Sequence, residues 1–265
     1  MARAKENRNL PIDWETELEN QAKIAAGMEA SVSVGQFFSI SGGQLKFNDA
    51  PIPGNEMVVI IADHILENVF YAEDYDPDSP AGPVCFAFGR DDKTLAPVVE
   101  DVTKVQAEAC QGCPQNEWGS ADRGSGKACR NSRRLALLAA GTIVKGEAEM
   151  NLDAEQYDAA TIGFLRLPVT SVKGWASYVK SVAGSLKRPP HGVFTLVKVV
   201  PDPKNQFVVT FTALGQVPKD LMGVIMGRHK QLQVPGAIDF PYQKMSEQEE
   251  KPARGKKPAG KRKYA

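Results

Sequence analysis

Four cysteines, Cys85, Cys110, Cys113 and Cys129, constrain this 265-residue chain more than any other residues in it. Cys110-Gln-Gly-Cys113 has the two-residue spacing of a knuckle that grips one zinc ion with two thiolates. Gly112 permits the tight turn, and the backbone N–H groups there can bond to the sulfurs. Cys129 follows after fifteen residues, within the range that separates the halves of a zinc ribbon. Cys85 lies 25 positions ahead of Cys110 in "PVCFAFG", a predicted short strand that can carry it alongside the knuckle. Four thiolates around one ion leave no open position for water, so the expected zinc is structural. Other readings stand beside this one. The fourth ligand could be His64, His191, His229 or a carboxylate, although none has helpful spacing, and His64 sits in an apolar run as a core histidine would. The thiols could instead be ordinary buried ones, the ligands of an iron–sulfur cluster, or a redox pair.

The residues between Cys113 and Cys129, "PQNEWGSADRGSGKA", are rich in glycine and polar groups. Arg123, Lys127, Arg130, Arg133 and Arg134 place five cations within twelve positions, and Trp118 adds a large flat ring. Cations that track phosphates and rings that stack on bases are what single-stranded nucleic acid requires. Trp118 could equally pack over the knuckle. Lys173 and Tyr178, in "TSVKGWASYVK", join the candidate contacts, with Tyr178 one step off the apolar stripe that takes Trp175 into the core. "GSGK" is not a phosphate loop, because Lys127 is followed by Ala128 where that motif needs Ser or Thr. There is no Ser/His/Asp signature, HExxH motif or motif-like set of carboxylates, and three histidines offer little for proton transfer. The expectation is a binding protein, not an enzyme.

Hydropathy divides the rest. The first 30 residues read as an arm with a short helix over 13–26. A β-rich body follows over 31–240, with a zinc element at about 85–135, and 241–265 read as a disordered basic tail. Within the body, "SVSVGQFFSI" alternates as a strand does, and "SGG" turns the chain into "QLKF". "EMVVIIADHI" is a continuous apolar run, expected to be buried on both faces. "ENVFYA", "PVCFAFG" and "TIGFLRLP" are further strands, while "RRLALLAAGTIVKG" fits either strand or helix and is read as one or two strands ending at Gly146. Val172, Trp175, Val179, Val182 and Leu186 recur at helical steps over 170–186, with Thr170 or Ser171 as cap. "VFTLVKVV" and "QFVVTFTAL" flank the turn "PDPKN", and a last helix is expected over 218–230. Phe194, Phe207 and Phe211 in that hairpin could fill a core or form a stacking face. The expected class is therefore β-rich α+β with two or three helices.

With 42% hydrophobic residues the chain can bury a core, and its 32 basic and 32 acidic residues cancel. The cancellation hides a basic end, with seven Lys/Arg from Lys251 to Lys263, and an acidic run over 73–78. No stretch reaches the length of a membrane span, and the opening residues have no apolar signal core, so the cytoplasm is the expected compartment.

The segments "ENVFY", "PVCFAFG", "CQGCPQNEWGS", "GKACRNSRRLAL" and "LPVTSVKGWASYV" resemble, in order, a family of bacteriophage single-stranded DNA-binding proteins. The likeness covers roughly 35–215 and is most specific at the cysteine block. It implies an OB-like β-barrel core elaborated by a zinc element, with Cys85, Cys110, Cys113 and Cys129 as ligands of one ion. It also implies a role in coating DNA strands during replication or recombination, in an infected host cell, alongside other replication proteins. One departure is the basic end, where many single-strand binders carry an acidic tail that recruits partners. The rival expectation is a zinc-ribbon adaptor that binds a replication or transcription enzyme.

Overall fold

The apolar run beginning at Met57 becomes the spine of the protein. In the computed structural model, which describes residues 17, 18, 21, 36–72, 82–100 and 102–239, it forms a single strand, β4 (Glu56–Phe70). Val58, Ile60 and Ala62 face one apolar cluster, while Val59 and Ile61 face another. Both faces are covered, so the strand reads as unbroken hydrophobicity, as expected. "ENVFYA" is not a separate strand, because 62–66 contain neither glycine nor proline to break the run. Instead a bulge absorbs Ala62 between the pairs Ile61↔Leu137 and Asp63↔Ala136. The bulge resets the alternation, and His64 comes to face Trp175, ring centroids 5.1 Å apart.

The strands β1 (Phe37–Ser41), β2 (Gln44–Phe47), β3 (Ala50–Pro51), β5 (Cys85–Gly89), β6 (Arg130–Val144), β7 (Glu147–Met150), β8 (Gly163–Leu167), β9 (Val193–Asp202) and β10 (Gln206–Gln216) complete one mixed sheet. Its order is β10-β9-β4-β6-β8-β1-β2-β3, with β5 added to β4 and β7 to β6. All pairs are antiparallel except β1 with β8. The other expected strands are present, with 31–35 of "SVSVGQFFSI" outside the described residues. Pro168 ends β8. Gly42 and Gly43 both take positive φ, the two-residue turn that suits the twist of the β1–β2 hairpin. At the β9–β10 turn, Asp202 Oδ1 accepts from the Lys204 and Asn205 backbone N–H groups.

Helices lie on both sheet faces. Helix α2 (Val172–Ser185) buries Trp175, Tyr178 and Val182 against Val59, Leu137, Leu165 and Val209. Helices α1 (Ala154–Ala159) and α3 (Lys219–Gln231) bury Tyr157, Leu221 and Ile225 against Val58, Ala136 and Phe194. Ser171 stands at the start of α2, yet its hydroxyl does not cap the helix; it accepts the Val209 N–H of β10 at 2.8 Å. The C-terminal end of α3 is latched to the β4 bulge. Asp63 accepts two bonds from Arg90 and one from Gln233, while His229 Nδ1 bonds to the Ala62 carbonyl at 2.8 Å.

The fold is β-rich α+β, and the sheet is open, so the expected barrel is met only at that coarser level. No ladder joins β10 to β3 among the described residues. The two regions do approach through a side chain: a Cβ on Gly43 would stand 3.7 Å from the Phe207 ring. The chain divides into two units, Met1–Gln36 and Phe37–Ala265. Of the helix expected over 13–26, Glu17, Leu18 and Gln21 are helical, and the remainder lies outside the described residues, as do the acidic run and the basic end. Among the described residues, no helix is long and apolar enough to cross a membrane.

Candidate nucleic-acid interface

Residue Val69 of β4 pairs with Arg130 of β6, so the chain leaves and rejoins this ladder at one end of the sheet. The ladder first takes back β5, through Phe70↔Cys85 and Asn68↔Ala87. Cys85 is thereby fixed on a strand. The knuckle is held beside it by the Cys110 N–H, which donates to the Leu95 carbonyl at 2.8 Å. Gly112 takes φ +76 in the turn between Cys110 and Cys113. The Asn116 N–H donates to the Cys113 carbonyl, its side-chain amide donates to the Cys110 carbonyl, and the Cys129 N–H donates to the Gln115 carbonyl.

All four thiols are free and buried, and all four line one small cavity of about 20 Å³ together with Asn68, Phe70 and Asn116. That is room for an object of water or ion size. Burial, reinforced by the neighbouring sulfurs, pushes the Cys110 thiol up to about 11 and the Cys129 thiol up to about 12, with Asn68 opposing the first shift and Lys127 the second. Burial also raises the Cys85 thiol. The buried Asn68 Nδ2 has no hydrogen-bond partner, and the amide lines the cavity close enough to the Cys110 thiol to oppose its upward shift. A buried, unpartnered N–H beside thiols is the kind of outer donor that a metal-bound thiolate attracts. Four convergent sulfurs with that donor fit a closed S₄ site in their chemistry. Among the described residues, however, no group of three or more His, Cys, Asp or Glu side chains has the geometry of a metal cluster. Convergence is present, whereas ligand spacing is not. None of the three histidines lines the cysteine cavity. His191 stacks on His229 at 4.3 Å instead.

Over the cysteines lies the Gly-rich loop 114–128, braced from within. Ser120 Oγ accepts the Ala128 N–H at 2.9 Å and donates to the Glu117 carbonyl at 2.7 Å, while the Gly119 N–H donates to the Gly126 carbonyl. Trp118 is 79% exposed, so it does not pack over the knuckle. The Lys127 ammonium lies 5.7 Å from the centre of its ring and also donates to Asn116 Oδ1. Beside the loop is a groove of about 370 Å³ lined by Phe70, Tyr71, Asp122, Arg123, Lys127 and Arg130, among others. The Arg130 guanidinium sits 5.1 Å from the Tyr71 ring centre.

The predicted contact residues separate into groups. Arg123, Lys127 and Arg130 share the groove, and Trp118 stands on the same loop. Arg133 is half-buried on β6 and donates to the Ser132 carbonyl. Two expectations need correction. Arg134 is buried, ion-paired to the fully buried Glu67 at 2.8 Å, bonded to the Ile238 carbonyl, and stacked on Phe88 at 4.3 Å. Tyr178 is 7% exposed and shares a 2.5 Å hydrogen bond with Thr195, because position 178 belongs to the inward stripe of α2. Lys173 is exposed but lines a different groove with Asp202, Asn205 and Phe211. Phe194 is core, and Phe207 and Phe211 pack partly buried against the α2 side. Tyr71 and Asp122 were not anticipated. The only signal for Tyr71 was its place at the end of a buried run, just where the chain leaves the sheet.

Comparison of the chain with protein-family models, curated proteins and solved structures gives no match.

Proposed function

We propose that this protein binds single-stranded DNA with little sequence preference overall, and that it serves a phage by coating strands during replication or recombination. The observation that carries the reading is the groove itself. Arg123, Lys127 and Arg130 converge there with Tyr71, and the freely exposed Trp118 stands beside them. Cations at this spacing take phosphates, and flat rings take the faces of unstacked bases, each stacked base contributing about 1–3 kcal/mol. No element among the described residues is set out as a base-reading helix. An OB-like reading of the sheet is supported by its strongly β-rich order and by the approach of Gly43 to Phe207.

Cys85, Cys110, Cys113 and Cys129 would hold one zinc ion, which would supply no reaction and only tie β5, the knuckle and the start of β6 together. The residues themselves do the remaining work. The Asn68 amide lines the thiol cavity, the Gln115 and Asn116 bonds set the height of loop 114–128, and that loop presents Trp118 and Lys127. A second reading, a docking module for a replication or transcription enzyme, draws on the same exposure of Trp118, since an exposed indole is also a common protein-interface anchor.

Anisotropy of a labelled thymidine oligonucleotide and of an equal-length duplex, titrated across a salt series, separates the two. Tight single-strand binding with a steep salt slope supports the proposal. Equal or absent binding at low salt rejects it in favour of the docking module. Metal content of the purified chain, read by mass spectrometry, tests the zinc assignment independently of any binding.

A further inference from the structure

Asp122 is a carboxylate in a groove otherwise supplied with cations, and its side chain has no ion pair or hydrogen bond among the described residues. A phosphate path alone gives it no role, because like charges a few ångströms apart repel even in water, by roughly 1 kcal/mol. A carboxylate only accepts hydrogen bonds. What it meets on a bound nucleotide must therefore be a donor. In a single strand the Watson–Crick edges are free to provide one.

We propose that Asp122 makes this groove prefer guanine among the bases of a single strand, an inference that rests on the nucleic-acid reading above. Guanine alone presents two adjacent donors on that edge, N1–H and the N2 amine, which match the two oxygens of one carboxylate. Adenine and cytosine offer one amine beside a ring nitrogen lone pair, and that lone pair opposes the second oxygen. Thymine offers N3–H between two carbonyls, which oppose both. The groove, at about 370 Å³, has room for a nucleotide base, with Tyr71 on its wall and Arg130 and Arg123 placed for the flanking phosphates. Such a contact modulates binding at one position of the strand and leaves the rest of the footprint indifferent to sequence. In RNA the ribose 2′-hydroxyl is the competing donor of the same chemistry.

The test uses the full chain and a thymidine oligonucleotide of about 12 residues, within the usual footprint of such sites. One or two spaced thymines are replaced by guanine, adenine, cytosine or hypoxanthine, which keeps N1–H and lacks the N2 amine. Guanine is expected to tighten binding about tenfold over thymine, in line with a well-formed bidentate base contact. Hypoxanthine should fall between them, with adenine and cytosine close to thymine. Asp122→Asn should abolish the guanine advantage while slightly strengthening binding of the all-thymine strand, since a charge that repels phosphate is gone. Equal affinity for every substituted strand, or a guanine advantage that survives in Asp122→Asn, overturns the proposal while leaving single-strand binding intact. A gain on oligouridine with none for guanine assigns the contact to the 2′-hydroxyl and overturns it as well. Failure to bind any oligonucleotide removes the nucleic-acid reading itself, and this inference with it.

Discussion

Arg130 and Arg134 are one turn of sequence apart on the same strand, and their surroundings give them opposite roles. Arg130 is exposed over Tyr71, whereas Arg134 is sealed against Glu67, which has no exposed surface. Removing one partner of a buried pair leaves the other charge uncompensated. Arg134→Leu should therefore lower unfolding stability by about 3 kcal/mol. The lower part of the usual range applies because Arg166 Nε remains 3.6 Å from the other Glu67 oxygen. Urea denaturation should register that loss, while the salt slope of oligonucleotide binding stays where it was. Arg130→Gln should do the reverse, leaving the urea midpoint in place and reducing the salt slope by about one. In "RNSRRLALL" the two roles look alike because β6 is covered on both faces, so strand alternation does not distinguish a surface arginine from an interior one. Tyr178 was legible in principle: 175, 178 and 182 follow a three-then-four step, and a stripe wide enough for all three takes the tyrosine inward.

Gly141 shows how tightly the elements are fitted. It lies in β6 where a second bulge shifts the register between Val58↔Gly141 and Val59↔Ala139. A Cβ at this position would sit 2.1 Å from the Glu149 carbonyl oxygen of β7. Backbone cannot swing away as a side chain can, so Gly141→Ala should force β7 off its partner and cost about 1–3 kcal/mol. Hydrogen exchange should then show faster exchange over 147–150, with β9 and β10 unchanged. At this scale the sequence was mostly readable. The β9–β10 hairpin, α2 and α3 were visible because turn chemistry and helical period are local signals. The fusion of "EMVVIIADHI" with "ENVFY" was hidden, since a bulge is chosen by the partner strand and leaves no mark in the strand that bends. The open strand order was hidden for a related reason: pairing across 70 or so residues is decided by which faces meet.

Across the whole molecule, two histidines couple the fold to acidity. Burial pushes the His64 ring below its ordinary value of 6.5; Asp63 opposes this, while Arg133, Arg90 and His229 reinforce it. Burial also lowers His191, reinforced by the stacked His229 and opposed by Asp63. In both cases the unfolded chain takes up a proton at higher pH than the folded one. Their contribution is complete above about pH 7, falls as pH drops through 6.5, and levels off once the folded-state values are passed. Urea midpoints at about pH 7.5 and 5.5 should differ in that sense, and His64→Phe, which keeps a ring against Trp175, should flatten part of the difference. A midpoint that is flat over that interval in the unaltered chain would contradict the assignment. The pairing of Val69 with Arg130 has a consequence of another kind. The polypeptide leaves the β4–β6 ladder and rejoins it at directly paired residues, about 5 Å apart. Between those residues β5 pairs back onto β4, and Arg90 ties the segment to the β4 bulge and to the end of α3, so only loop 114–128 stands clear of both attachments. A lineage could exchange or enlarge that loop in one step and keep the same scaffold, and an engineer could graft a different recognition loop between Asn116 and Ala128.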